Sequence, residues 1–172
     1  ALTRNLPSFV EPVSGCVWAS NNKSFVIGSL ARHQGLCTFQ VDSDAAEDWG
    51  KHHRVQDLSG SPDGRWLVAV DDQQTIHVYN AMTRELEYDM ELKVRPTSVS
   101  VSPDSRHLLV NKRDGEAQLI DLASRSSVQK FLGHTGGDYL IRSSFGGANE
   151  SFVVSGSEDG NILIWHKNIG AA

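Results

Sequence analysis

An imidazole, two hydroxyls and a carboxylate fall in one stretch of the chain, at His134, Ser155, Ser157 and Asp159. In a hydrolase the imidazole would take a proton from the hydroxyl while the carboxylate oriented the ring. Such a nucleophile needs a sharp strand-to-helix elbow and donors for the developing oxyanion, and neither is suggested around Ser155 or Ser157. No phosphate-cradling glycine loop or dinucleotide fingerprint occurs elsewhere. Metal binding is the second chemistry to weigh, through His33, Cys37, His52 and His53. Adjacent residues on a strand point to opposite faces, so His52 and His53 do not form a ligand pair there. Cys16 and Cys37 stand in no CxxC or CxxH spacing. The expectation is therefore no metal, no cofactor and no enzyme activity. The acid pair Asp71-Asp72 falls in a turn, where hydrogen bonds from side chain to backbone account for it. Recognition remains: Arg32, Arg54, Arg95, Lys112 and Arg113 all fall in turns or connections, and a guanidinium binds a carboxylate through two parallel hydrogen bonds.

The elements that position these residues follow from a repeat. Ser61-Pro62-Asp63-Gly64 recurs 41 residues later as Ser102-Pro103-Asp104-Ser105, and Ser20-Asn21-Asn22-Lys23 stands 41 residues before it. Phe145 to Glu150 reads as a fourth, longer turn. Short strands precede the turns at Cys16–Trp18, Val55–Leu58, Val99–Val101 and Tyr139–Ile141. Continuous apolar runs follow them at Phe25–Ile27, Trp66–Val70, Leu108–Val110 and Phe152–Val154, the pattern of strands buried on both faces. Third strands come next at Leu36–Phe39, Thr75–Tyr79, Ala117–Ile120 and Ile162–Trp165, and more polar fourth strands follow around Glu47–Trp49, Glu85–Leu92 and Val128–Leu132. Four antiparallel strands per repeat, apolar inside and charged at the outer edge, describe an all-β propeller blade. A β-sandwich also has many short strands, but it has no reason to repeat its turn chemistry at 41 residues. The expected units are 11–50, 51–92, 93–132 and 133–172, the last without its outer strand, with 1–10 as the outer strand of a preceding blade.

Composition agrees with an ordinary globule of 172 residues, 39% hydrophobic and 22% charged. The net charge of −5 argues against a surface built to neutralise a nucleic-acid backbone. No apolar run approaches the roughly 18 residues that a membrane span needs, and two thiols without a framework fit a reducing, cytoplasmic or nuclear setting.

The last unit carries the most specific text. Gly133-His134, followed by Ser155-Gly156-Ser157-Glu158-Asp159-Gly160 and Ile162-Leu163-Ile164-Trp165, resembles a WD repeat, with His166 where the final Asp usually stands. The resemblance implies a buried relay in which Asp159 accepts from His134 while Ser155 or Ser157 links His134 to the Trp165 indole. It also makes His134→Ala more costly than His53→Ala. The third-strand aromatic position in the other units holds Phe39, Tyr79 and Ile120, so their relays are degenerate. Arg54–Leu58, Ile76–Asn80, and Ser144–Phe152 with the Ser-Gly-Ser-Glu-Asp-Gly and Ile-Trp-His-Lys runs together resemble the WD-repeat subunits of GID/CTLH ubiquitin ligases. That likeness implies a propeller of about seven blades, of which four are here, serving as an interaction scaffold whose partners are ligase subunits, substrates or regulators. A scaffold of another intracellular complex is the alternative, and a propeller enzyme is a third reading. The first strands place only Cys16, Asp57, Ser98 and Arg142 near the channel, a poor catalytic set.

Binding residues concentrate in loops. The connections between blades and the second-to-third-strand turns share one face, with seven Lys and Arg (Arg32, Lys51, Arg54, Lys93, Arg95, Lys112, Arg113) against five Asp and Glu. This face is expected to take an acidic segment of a partner. Open blade edges at the two ends lead to the further expectation that two copies of the chain pair.

Overall fold

The computed structural model describes residue 6 and residues 9–169. Four antiparallel sheets follow one another along the chain, each with its strands in sequential order. The first sheet holds β1 (Val13–Trp18), β2 (Ser24–Ser29), β3 (Leu36–Gln40) and β4 (Ala46–Asp48). The second holds β5 (Val55–Gly60), β6 (Trp66–Asp71), β7 (Thr75–Asn80) and β8 (Leu86–Glu91). The third holds β9 (Pro96–Val101), β10 (His107–Lys112), β11 (Ala117–Asp121) and β12 (Ser126–Phe131). The fourth has three described strands, β13 (Ser143–Gly146), β14 (Phe152–Gly156) and β15 (Ile162–His166). Most of the outer strand expected at 1–10 lies outside the described residues. Phe9, which is described, is not in a strand and sets its ring edge-on to Phe39 at 6.0 Å.

The continuous apolar runs acquire their meaning here. All six residues of β6 are buried, because Leu67 and Ala69 face the first sheet while Trp66, Val68 and Val70 face the third. In β10, Leu108 and Val110 pack toward the second sheet and Leu109 toward the fourth. A two-residue period buried on both sides reads as an unbroken run, and each such Val or Leu contributes about 1.5–3 kcal/mol.

The Ser-Pro-Asp turns are built identically. Ser61 Oγ donates to Asp63 at 2.5 Å and accepts from Trp66 N at 2.7 Å, while Arg65 N donates to Asp63 at 2.9 Å. One repeat on, Ser102 Oγ donates to Asp104 and accepts from His107 N, and Arg106 N donates to Asp104. The fourth position is Gly64 at φ 75° and Ser105 at φ 60°. These hydrogen bonds hold both aspartates below their ordinary pKa against the opposing effect of burial.

Each of the first three sheets has a bulge near the start of its inner strand, leaving Ser14, Gln56 and Thr97 without a register partner. A bulge re-aims a side chain. Ser14 Oγ donates across to Val55 O, and Thr97 Oγ1 to Ile141 O at 3.1 Å. Next to the bulge in β5, Asp57 and Ser59 accept from Val99 N and Val101 N at 2.9 and 3.0 Å. Side chain to backbone bonds at a near-constant offset of 41–44 residues thus stitch neighbouring sheets along their first strands.

The fourth unit departs from its expected layout. Its inner strand is Ser143–Gly146, not Tyr139–Ile141, and Tyr139 and Leu140 are 73% and 71% exposed. The physical reason is length: 45 residues separate Ile120 from Trp165, against 41 between Tyr79 and Ile120, so the connection from Gly133 carries the chain further before pairing begins. The expected turn at Phe145–Glu150 is correspondingly later. Phe145 and Gly146 end β13, and a 3-10 turn occupies Ala148–Glu150.

Candidate partner-docking face

The connections between sheets lie directly against the turns of the preceding sheet, and glycine makes the approach possible. A Cβ on Gly136 would stand 2.4 Å from Arg113 O, and one on Gly115, at φ +81°, would stand 2.3 Å from His134 O. Gly35 permits the same approach between the first and second sheets, its Cβ position 2.1 Å from His53 O. Arg113 N donates to Arg95 O at 2.9 Å, joining the turn of the third sheet to the connection before it. Between these segments opens a hollow of about 140 Å³, with Arg95, Arg113, Asp138, Tyr139 and Leu140 among its walls.

Of the five basic residues expected on this face, the structure gathers two. Arg95 is exposed and makes no side-chain hydrogen bond or ion pair among the described residues. Arg113 donates through Nε to Gly137 O at 2.8 Å and through Nη2 to Asp138 at 2.7 Å. Arg32 is exposed on the turn of the first sheet and does not line the hollow. Arg54 braces a junction, donating to Leu30 O at 2.9 Å with Asp72 3.8 Å away. Lys112 is a correction to the expectation: its side chain is 11% exposed and pairs with Glu116, which also holds Lys130 at 3.1 Å. It is the last residue of β10, and its ammonium is spent within the sheet. Sequence reasoning misses Tyr139 and Leu140, because an apolar run after a glycine pair reads as a strand unless the longer connection is counted.

The relay expected in the fourth unit is not formed. Trp165 Nε1 donates to Leu132 O at 3.0 Å, and both ring nitrogens of His134 are buried without a partner. The imidazole instead sets edge-on to the Trp165 indole, centroids 5.8 Å apart. Thr135 takes the expected contacts, its N–H donating to Ser157 Oγ at 2.8 Å and its hydroxyl to Asp159 at 3.4 Å. Asp159 is exposed, and Ser155 Oγ donates to Gly156 O.

A connected cluster stands in the second sheet. His77 contacts Asp89 through Nδ1 at 2.6 Å and Asp71 through Nε2 at 3.0 Å. The His53 ring stacks on His77 with centroids 3.9 Å apart, and His53 Nε2 lies 2.6 Å from the Tyr79 hydroxyl. Burial raises the Tyr79 pKa and lowers that of His53, which favours the neutral form of both partners in this hydrogen bond. His53 occupies the connection before its sheet and Tyr79 the last large position of the third strand, the places that His134 and Trp165 hold in the fourth. Among the described residues no group of three or more His, Cys, Asp or Glu is placed to hold a metal ion.

Burial also lowers the pKa of His107 and of His134; Lys167 and Arg106 act with burial at His107, while Asp104 and Asp121 oppose it, as Asp114 does at His134. An imidazole kept neutral in the fold takes a proton more readily when unfolded, so its contribution is complete above the unfolded value near 6.5 and falls as pH drops below it. Asp121, held down to about 2 chiefly by the Ser124 N–H and then by Arg106, extends the same trend into more acid solution. Urea midpoints are expected to change little near pH 7.5 and to fall as pH drops below about 6.5 toward 5.5, and a flat profile over that lower range would contradict this account.

A second, larger cleft of about 340 Å³ opens on the opposite face, between the first and second sheets, where Trp18 and Met82 are 61% and 84% exposed. It lies among the turns after the inner and third strands.

Sequential antiparallel sheets of up to four strands, stitched to one another at a near-constant offset, define a WD40-type propeller. A family model described as WD domain, G-beta repeat, matches residues 49–80 and 125–166, and the chain is a WD40-repeat protein. It is 33% identical over 165 residues to GID complex subunit 7 of Schizosaccharomyces pombe, covering 92% of this chain and 32% of that protein. The WD repeat-containing protein WDS homolog of Arabidopsis thaliana is 34% identical over 157 residues, covering 90% of this chain and 30% of its own. The Arabidopsis thaliana WD repeat-containing protein 26 homolog is 30% identical over 94% of this chain and 27% of its own. The chain thus spans about a third of the length of these relatives. Among solved structures, U3-55K (TM-score 0.69, 14% identity) covers 95% of this chain with 54% of its own. The WD40 repeats of RRP9 (TM-score 0.69, 15% identity) cover 97% with 55%. At such identity the likeness carries the fold alone.

Proposed function

We propose that this chain belongs to the propeller of a GID-type ubiquitin ligase subunit, a non-enzymatic scaffold whose loop face presents substrates or regulators to the ligase. The observation that carries this reading is the 33% identity to GID complex subunit 7 across 92% of the chain. The segment whose text is most particular adds physical support, since its two halves form one unit. Lys167 N donates to Ser151 O, the Lys167 ammonium lies 3.2 Å from Glu150, and the rings of Phe152 and His166 meet edge-on. The Ser144–Phe152 segment and the Ile-Trp-His-Lys run therefore depend on one another. Affinity purification of the tagged protein from cells is expected to bring down other subunits of a ubiquitin ligase and ubiquitin-conjugating activity. Recovery of splicing or nucleolar particles instead would overturn the assignment; Pre-mRNA-processing factor 19 of Schizosaccharomyces pombe, at 23% identity, is one relative that points that way.

A further inference from the structure

The hollow between the third and fourth blades has the chemistry of a site for one side chain. Its volume of about 140 Å³ is below the roughly 300 Å³ at which small-molecule and cofactor pockets begin. Arg95 brings an exposed guanidinium that no described carboxylate neutralises. Arg113 is anchored by its Nε to Gly137 O, which fixes the plane of its fork, and its Nη2 is met by Asp138 at 2.7 Å. The Asp138 side chain is 90% exposed and makes no other hydrogen bond among the described residues. It is a carboxylate of the chain itself, resting loosely where an external one would sit. Beside the two arginines, Tyr139 and Leu140 put an aromatic ring and an aliphatic chain into solvent, 73% and 71% exposed. They are held there because the Tyr139 N–H is bonded to Glu158 at 2.8 Å and the glycine-rich connection lies flat on the turn below.

We propose that this hollow binds an acidic side chain of an extended partner segment, the carboxylate displacing Asp138 and bridging Arg113 and Arg95, with an adjacent apolar residue of the segment packed on Tyr139 and Leu140. The inference rests on the scaffold reading only in taking the ligand to be a protein segment. A planar guanidinium pair matches a carboxylate through parallel hydrogen bonds, and an apolar neighbour covers the exposed pair without leaving a buried charge unpaired.

The test uses fluorescein-labelled heptapeptide pools with Glu fixed at the centre and Leu, Phe or Tyr fixed beside it. Parallel pools carry Gln, or phosphoserine, in place of Glu, and binding to the chain is read by fluorescence anisotropy. The Glu pool is expected to bind about tenfold or more tighter than the Gln pool, in keeping with a charge-assisted hydrogen-bonded pair. Arg95→Glu is expected to remove that advantage without moving the melting temperature, since the Arg95 side chain holds nothing within the fold. Asp138→Ala should tighten the Glu pool a few-fold by vacating Arg113. Leu140→Ala should weaken the Glu pool and leave a Glu pool with Ser beside the acid unchanged. Equal binding of the Glu and Gln pools, an unaffected Arg95→Glu, or a phosphoserine pool more than about tenfold tighter than the Glu pool would each overturn the assignment. If the pools fail while ligase subunits still co-purify, this site falls and the scaffold reading stands. If the Glu pool binds as expected and the ligase subunits are absent, the reverse holds.

Discussion

Asp57→Ala is expected to lower the unfolding free energy by about 2–3 kcal/mol, far more than removal of its charged partner. Asp57 is 4% exposed on β5 and joins three sheets. Its Oδ2 accepts from Val99 N of the third sheet at 2.9 Å, and its Oδ1 accepts from Arg142 Nη2 at the entrance to the fourth at 2.8 Å. Alanine leaves the Val99 N–H buried without an acceptor, and a stranded backbone donor costs the full desolvation of the group. Arg142→Ala removes the other contact, but the Arg142 side chain is 64% exposed and water replaces the carboxylate, so the loss should stay below about 1 kcal/mol. Asn at position 57 keeps an acceptor for Val99 and should fall between the two. Urea unfolding of the three variants checks the order; equal, small shifts for Asp57→Ala and Arg142→Ala would show that the inter-sheet bond carries little. Because the same carboxylate fixes the third sheet relative to the fourth, Asp57→Ala is also expected to loosen the hollow between them.

The blades are legible in the sequence because their signal is redundant. Turn chemistry, apolar runs and strand order each repeat, and each predicts the same sheets; β5 through β12 fall where the turns at Ser61 and Ser102 place them. The fourth unit is legible in kind and misplaced in register. Tyr139-Leu140-Ile141 has the composition of a strand, and composition cannot show that four extra residues in the connection carry it past the start of pairing. For the same reason the loop face is half legible. Arg95 and Arg113 are brought together by a backbone bond between their own segments, which the repeat positions imply, whereas the fate of Lys112 depends on Glu116 and Lys130 closing over it. A sequence shows which residues fall in turns. Whether a charge there is spent within the sheet or left for a partner depends on side chains two strands away.

The polar relay shows a different limit, since a motif match is complete in residue types and wrong in partners. Gly133-His134, Ser155, Asp159 and Trp165 are all present, yet Thr135 and Leu132 O take the bonds expected of His134 and Ser155. In the second sheet, where Tyr79 replaces the Trp, the ring pair is hydrogen-bonded and extends through His77 to two carboxylates. Tyrosine ends in a hydroxyl that reaches the imidazole. Measured against the motif, that substitution counts as a loss, and the bond it makes possible goes unseen.

The stability order of the two histidines therefore reverses. His53→Leu is expected to cost about 1–3 kcal/mol, and His134→Leu to be neutral or slightly stabilising. The Tyr79 side chain is fully buried, and His53 Nε2 at 2.6 Å is the hydrogen-bond partner of its hydroxyl; leucine fills the space and leaves that hydroxyl stranded. It also removes the ring that stacks on His77, whose own bonds to Asp71 and Asp89 tie the end of β6 to β8. His134 is 6% exposed with neither ring nitrogen bonded, so leucine there removes two unmet polar atoms while keeping contact with Trp165. The pair His53 and Tyr79 can be separated from general packing by a double-mutant cycle. Tyr79→Phe in the His53→Leu background removes the stranded hydroxyl and should recover some of the loss, whereas Tyr79→Phe alone strands the imidazole and should lower stability. Thermal and urea unfolding at pH 7.5 keep both imidazoles neutral, so the comparison reads hydrogen bonding rather than titration. A His134→Leu variant that melts below His53→Leu would restore the relay reading and reject the assignment of the bonded pair to the second sheet.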